Sequence, residues 1–218
     1  MTSVYLNWLH EQGYAPAIKL LTPKEEERNP AIFTQQEMDL IENHLLASGR
    51  VQLYRAVLLM RWLGLRNAET RTLPLRHMTD RAIVLSEVKE LGWTPKGQKH
   101  RVLPIPSVLQ DFLKEDLRRP SKEMYYLDEG NGQPAFRDSF YLSKALRSVL
   151  RELGIEGRKP CHSFRSSLAT SLLDRGTPVH TTQAILRHAN ASTTLKHYAH
   201  KNQSKMLEAL ETLGMFTN

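Results

Sequence analysis

Residues 162–198 hold three short motifs in a fixed order. They are His162-Ser163-Phe164-Arg165, then Leu186-Arg187-His188, then Thr193-Thr194-Leu195-Lys196-His197-Tyr198. His162 and Arg165 are three residues apart, so a helix sets them on neighbouring positions of one face. A phenol can attack phosphorus. A guanidinium grips two phosphate oxygens in a planar fork. Two imidazoles can hydrogen-bond the same phosphate or move protons. Taken singly, a His is ordinarily a surface or satisfied core residue, and a Tyr is ordinarily a packing residue with a wet tip. The ordered set carries the meaning.

The surrounding pattern is helical. Phe164, Leu168 and Leu172 are spaced to bury one face of the helix that begins at His162. Gly176 and Thr177-Pro178 end it and start the next, Val179 to Leu186, which carries His188 out at its C-terminus. Ser192 to Tyr198 reads as one or two further turns. A last helix, Lys205 to Leu213, has Met206, Leu210 and Leu213 on one side. That face can dock on its own core or on another subunit.

Upstream, Ser139–Leu153 shows a stripe of Leu142, Leu146, Val149 and Leu153, and Ser107–Leu117 is also helical. Between them, Pro120 to Pro134 is a loop in which Tyr125-Tyr126-Leu127 reads as a short buried strand. Ala82–Leu85 and Arg101–Ile105 are β-like runs. They flank a Gly- and Pro-rich turn, residues 92–100, that carries Lys96. Val51–Leu63 is apolar nearly all round, which predicts the buried central helix, and Gly64 is a natural stop. Gly64-Leu65-Arg66-Asn67-Ala68-Glu69 follows. Here Asn67 is expected to cap a short helix, Ala68–Leu73. Arg66 then sits at the junction of two helices with Glu69 one turn away, either as an oriented site pair or as a surface pair worth little. Thr34-Gln35-Gln36-Glu37 is a capping-box sequence ahead of the Met38, Ile41, Leu45 stripe. The pattern predicts a mainly α fold with a small antiparallel β-sheet (α+β).

Residues 1–30 read as an N-terminal arm or linker, with one or two helical turns at Tyr5–Leu9 and punctuation at Pro16, Pro23 and Pro30. Residues 31–204 form the main domain, and residues 205–218 form a C-terminal helix that can be exchanged between protomers. Net charge is +7 and the isoelectric point is about 9.6, a balance that suits a polyanionic partner. The single cysteine, Cys161, excludes an intrachain disulfide and a cysteine zinc cluster, and fits a reducing cytoplasm. No signal-peptide pattern and no apolar run near the roughly 20 residues of a membrane span is present.

The motifs together resemble the catalytic domain of the tyrosine recombinases, the phage integrase family. Gly64-Leu65-Arg66-x-x-Glu69 resembles the first-arginine box. Lys96-Gly97-Gln98-Lys99-His100-Arg101-Val102-x-Pro104 resembles the β-hairpin lysine box. His162-x-x-Arg165, Leu186-Arg187-His188 and Thr193-Thr194 before Tyr198 resemble the three that follow. Two details depart from the pattern. Arg187 stands where the family usually has Gly, which implies either a strained turn before His188 or an added phosphate contact. Three residues separate Thr194 from Tyr198, where two are commoner. Family members usually also carry an N-terminal core-binding domain. The some thirty residues ahead of Thr34 imply an expressed fragment or a short member of the family.

The resemblance implies a site-specific DNA recombinase with Tyr198 as nucleophile, forming a 3′-phosphotyrosyl link. It implies Arg66 and Arg165 as transition-state clamps and Lys96 as general acid. His162 would be proton acceptor or phosphate ligand, His188 a donor to a non-bridging oxygen, and Glu69 a supporting residue. It implies no metal, no ATP and no cofactor. The implied partners are double-stranded DNA, a homotetramer on that DNA and accessory DNA-bending or directionality factors, with no membrane. The implied location is the cytoplasm, in association with the nucleoid, and the implied setting is a mobile element. The rivals are a type IB topoisomerase-like enzyme, a protelomerase, and a catalytically silent DNA-binding protein of the same fold. A metal-dependent nuclease is disfavoured, because no cluster of Asp and Glu accompanies the histidines.

Overall fold

The computed structural model describes residues 2–14, 16, 31–95, 100–118 and 124–187. Its helices are α1 (Thr2–Glu11), α2 (Gln35–Ala47), α3 (Val51–Leu63), α4 (Asn67–Arg71), α5 (Ser107–Leu117), α6 (Ser139–Glu152), α7 (His162–Asp174) and α8 (Val179–Leu186). Strands β1 (Ala82–Leu85) and β2 (Arg101–Pro104) lie between α4 and α5. The fold is mainly helical with a small antiparallel sheet, as the sequence patterns predict.

Local chemistry explains most of the boundaries. Thr34 caps α2 by accepting from the Glu37 N–H, while the Glu37 carboxylate accepts from the Thr34 N–H at 2.7 Å. Both orphan donors of the first turn are thereby satisfied. α3 ends at Gly64, whose φ of 57° suits glycine and stops the helix. The Asp138 side chain caps α6 through the N–H groups of Phe140 and Tyr141. β1 pairs with β2 so that Ile83 faces Leu103 across the ladder, and both side chains are buried. Val84 and Val102, also paired, point outward.

The core gathers around α3. Ala56, Val57, Leu59 and Met60 are fully buried there, with α2, α4, α6 and α7 packed around the helix. Two arginines of α3 are buried as well, and each has anionic partners. Arg55 meets Asp116 through Nε at 3.1 Å, and Arg61 meets Asp39 and Glu42. Pairing is what makes a charge tolerable in such an interior. α7 is then locked in place from the chain's entry side. The Phe33 N–H donates to Ser167 Oγ at 2.7 Å, and the Phe33 and Phe164 rings sit 4.5 Å apart. This contact fixes the helix that carries His162 and Arg165.

Four expectations need correction. α4 begins at Asn67, with Arg66 as its N-cap, so Asn67 does not cap it. Its side-chain amide instead donates to Ser139 O, Ser143 Oγ and Cys161 Sγ, acceptors brought close by α6 and the start of α7. Tyr125 and Tyr126 are buried, but Tyr125 makes only an isolated bridge with Pro74, and the segment is not a strand. α7 does not bury a single stripe. Leu168 and Leu172 are partly covered, while Ser163, Ser166, Ser167, Ala169 and Thr170 are buried. Small side chains allow α7 to lie close against both α3 and α8. At the N-terminus, α1 is longer than the one or two turns expected. The expected helix after Ser204 lies outside the described residues.

Candidate active site

The first turn of α4 orients Arg66. Its backbone N–H donates to Glu69 Oε2 at 2.7 Å, and its Nη1 donates to Glu69 Oε1 at 2.7 Å. Its Nη2 donates to the carbonyl of Arg187 at 2.9 Å. The Arg66 side chain keeps 31% of its surface exposed, while that of Glu69 keeps 4%. The pair is therefore a partly exposed guanidinium on a buried carboxylate, not a solvated surface pair.

Arg165 approaches from α7. Its Nη1 donates to the Gly64 carbonyl and its Nη2 to the Leu186 carbonyl. These carbonyls stand at the C-cap of α3 and the last residue of α8, where a helix dipole favours a cation. Burial, followed by the charges of Arg66 and Arg187, lowers the Arg165 guanidinium to about 9. It remains a cation at neutral pH.

Gly64 makes this convergence possible. At its φ of 57°, a Cβ would lie 2.8 Å from Leu186 Cδ2 and 3.0 Å from Leu168 Cδ2. Only a residue without a side chain lets α7 and α8 close on the end of α3.

Arg187 joins the same point. Its Nη2 donates to Gly64 O at 2.9 Å and to Glu69 Oε2 at 2.8 Å. Its Nη1 donates to Ile185 O at 2.8 Å. Burial tends to raise the Glu69 carboxyl. The Arg187 charge, the Arg66 N–H and the Arg66 guanidinium outweigh it and hold the carboxyl below its ordinary value. Arg101, at the start of β2, adds a further positive charge felt by Arg165 and Arg187. Neither Arg101 nor the buried course of Arg187 is evident from the sequence. The one hint was an arginine at a helix end that normally takes glycine or asparagine.

Of the sequence-derived set, Arg66 and Glu69 are bonded to each other, and Arg165 reaches the same turn through the Gly64 carbonyl. His162 stands exposed at the first position of α7, one turn before Arg165. Lys96, His188 and Tyr198 lie outside the described residues. Among the described residues, no group of three or more His, Cys, Asp or Glu side chains is placed to hold a metal ion. No helix among them is long and apolar enough to cross a membrane.

Residues 31–205 match the model of the phage integrase family. The chain belongs to the phage integrase family. It is 28% identical over 213 residues to tyrosine recombinase XerD of Listeria innocua, covering 93% of this chain and 68% of that protein. Its fold is similar to that in a crystal structure of XerA recombinase, with a TM-score of 0.65 and 22% identity over 94% of this chain and 71% of that one. It is also similar to the Tn1549 transposon integrase in complex with transposon right end DNA. There the TM-score is 0.70 and the identity 16%, over 97% of this chain and 84% of that one. The chain carries a tyrosine-recombinase catalytic domain, an enzyme of DNA strand breakage and rejoining.

Proposed function

We propose that this domain recombines duplex DNA at specific sites with Tyr198 as its nucleophile. The observation that supports this is the meeting of Arg66 and Arg165 at the Gly64–Glu69 turn, with one guanidinium still open to solvent. Two guanidinium groups carried to the same turn suit a phosphodiester whose two non-bridging oxygens gain charge as phosphorus becomes pentavalent.

The Tyr198 oxygen attacks the scissile phosphorus. The bond to the 5′-oxygen breaks, leaving a 3′-phosphotyrosyl link and a free 5′-hydroxyl. Attack by the 5′-hydroxyl of a second strand reverses the chemistry and frees the phenol. The covalent link conserves the bond energy, so the cycle consumes no ATP. Lys96 protonates the leaving 5′-oxygen. His162 takes the phenol proton or holds a phosphate oxygen, and His188 donates to a non-bridging oxygen. Glu69 keeps Arg66 in place and does not react. Charge neutralisation by arginine takes the part that metal ions play in many nucleases.

Four such domains act as a homotetramer on two duplexes, assisted by DNA-bending or directionality factors. Residues 31–204 supply the chemistry, and the segment of residues 205–218 couples one protomer to the next. The deciding experiment uses a nicked substrate carrying a candidate attachment site. The native chain should form a denaturant-resistant protein–DNA adduct. Tyr198→Phe should bind the same DNA and form none. Adduct in that variant would move the nucleophile elsewhere, and its absence from the native chain on every candidate site would favour a silent DNA-binding protein.

A further inference from the structure

Arg187 occupies a position that the backbone reserves for another kind of residue. It caps the C-terminus of α8 in the left-handed region, at φ 57°, the one non-glycine residue with positive φ among the described residues. An L side chain is strained there and glycine is not. A long cationic side chain in such a place implies a compensating gain. The side chain does not trail into solvent, since the residue is only 4% exposed.

The guanidinium runs back into the site. Besides Ile185 O, Gly64 O and Glu69 Oε2, it reaches Leu63 O, at 3.4 Å from Nη1. Its Nε is enclosed and has no acceptor among the described residues. Its terminal donors are thus committed to protein oxygens. The backbone end of the same residue is engaged as well, because Arg187 O accepts from Arg66 Nη2 at 2.9 Å. The contacts form a closed ring. Arg66 binds Glu69, Glu69 binds the Arg187 side chain, and the Arg187 carbonyl binds Arg66.

We propose that Arg187 is a positioning residue for Arg66, acting through Glu69 and through its own carbonyl, and making no phosphate contact itself. The inference rests on the recombinase reading above, and two consequences follow from the ring. The Glu69 carboxylate cannot swing out with Arg66 when a phosphate arrives, because its second oxygen is tied to α8. The charge balance also shifts. Arg66, Arg165 and Arg187 set three cations against one carboxylate, so Glu69 does not cancel the charge offered to the phosphate. Glycine at position 187 would leave the carboxylate to the two phosphate-binding arginines alone.

The test uses the full chain and five proteins: native, Arg187→Gly, Arg187→Asn, Glu69→Gln and the double variant of Arg187→Gly with Glu69→Gln. Glycine fits the left-handed backbone, and Arg187→Asn serves as a second probe that tolerates it but cannot reach Glu69. On a nicked substrate at saturating protein, Arg187→Gly should slow single-turnover adduct formation about 10- to 100-fold. Its DNA affinity should stay within about twofold of native, since the residue touches no phosphate. The double variant should be no slower than Glu69→Gln, as non-additivity demands of residues acting through one another. In the free protein, the Arg66 amide should lose hydrogen-exchange protection in Arg187→Gly and Arg187→Asn. Native cleavage rate, multiplicative slowing in the double variant, or unchanged Arg66 protection would each overturn the proposal. If the native chain formed no adduct at all, the recombinase reading would fail, and the amide exchange would still decide the role of Arg187.

Discussion

Arg187 lies 118 residues from Glu69 in sequence, yet its Nη2 sits 2.8 Å from Glu69 Oε2. Both side chains are almost wholly enclosed, at 2% and 4% exposure. The proposed phosphate site therefore rests on a buried ion pair between α4 and the C-cap of α8. Arg66 is the partner of that pair that still reaches solvent. The following predictions depend on this arrangement.

Removing the Glu69 carboxylate should be costly, because Arg187 would remain buried without its counter-charge. Glu69→Ala is expected to lose about 3 kcal/mol of stability in urea denaturation. The pH dependence has a definite sign. The Glu69 carboxyl is lowered in the folded state. Its stabilisation is thus fully present above the unfolded carboxyl value, near 4.5, and is lost as pH falls through the lower folded value. Between about pH 6 and pH 3, native protein should lose more stability than Glu69→Gln. Equal losses would show that Glu69 is not linked to acid unfolding.

Gly64→Ala should destabilise by about 1–3 kcal/mol, because the new methyl meets Leu186 and Leu168 in a left-handed backbone. A melting temperature equal to native would contradict the close approach of α7 and α8 to the end of α3.

Arg165→Lys keeps a positive charge but loses the fork that spans the Gly64 and Leu186 carbonyls. Adduct formation should fall by about 10²-fold or more, with DNA binding less affected. Comparable cleavage rates in native and variant protein would show that charge alone suffices at this position.

Cleavage should persist in excess EDTA, since the proposed mechanism leaves neutralisation of the phosphate to guanidinium groups. Strict dependence on added magnesium would instead favour a metal-assisted nuclease.

Much of the fold was legible because its causes are local. Thr34 with Glu37, Gly64 after an apolar helix, and Pro178 before Val179 act within one turn of where they stand. Arg66 and Glu69 were legible as a pair for the same reason, being three residues apart. The cap of α4 was misread because Asn67 is drawn to Ser139, Ser143 and Cys161, none of them near in sequence. α7 was misread as one-sided because its burial depends on α3 and α8 together.

By itself the sequence determined most of the described helices, the antiparallel strand pair and the motifs that place the chain among the tyrosine recombinases, since periodicity, caps and motif spacing are local properties of the chain. Only the tertiary structure decided what Arg187 does. From sequence it offered a strained turn or a further phosphate contact. Its direction was set when the ends of α3 and α8 met at Gly64, leaving carbonyl oxygens and one buried carboxylate within reach of its guanidinium. A buried cation goes where acceptors are, and only the fold brings those acceptors together.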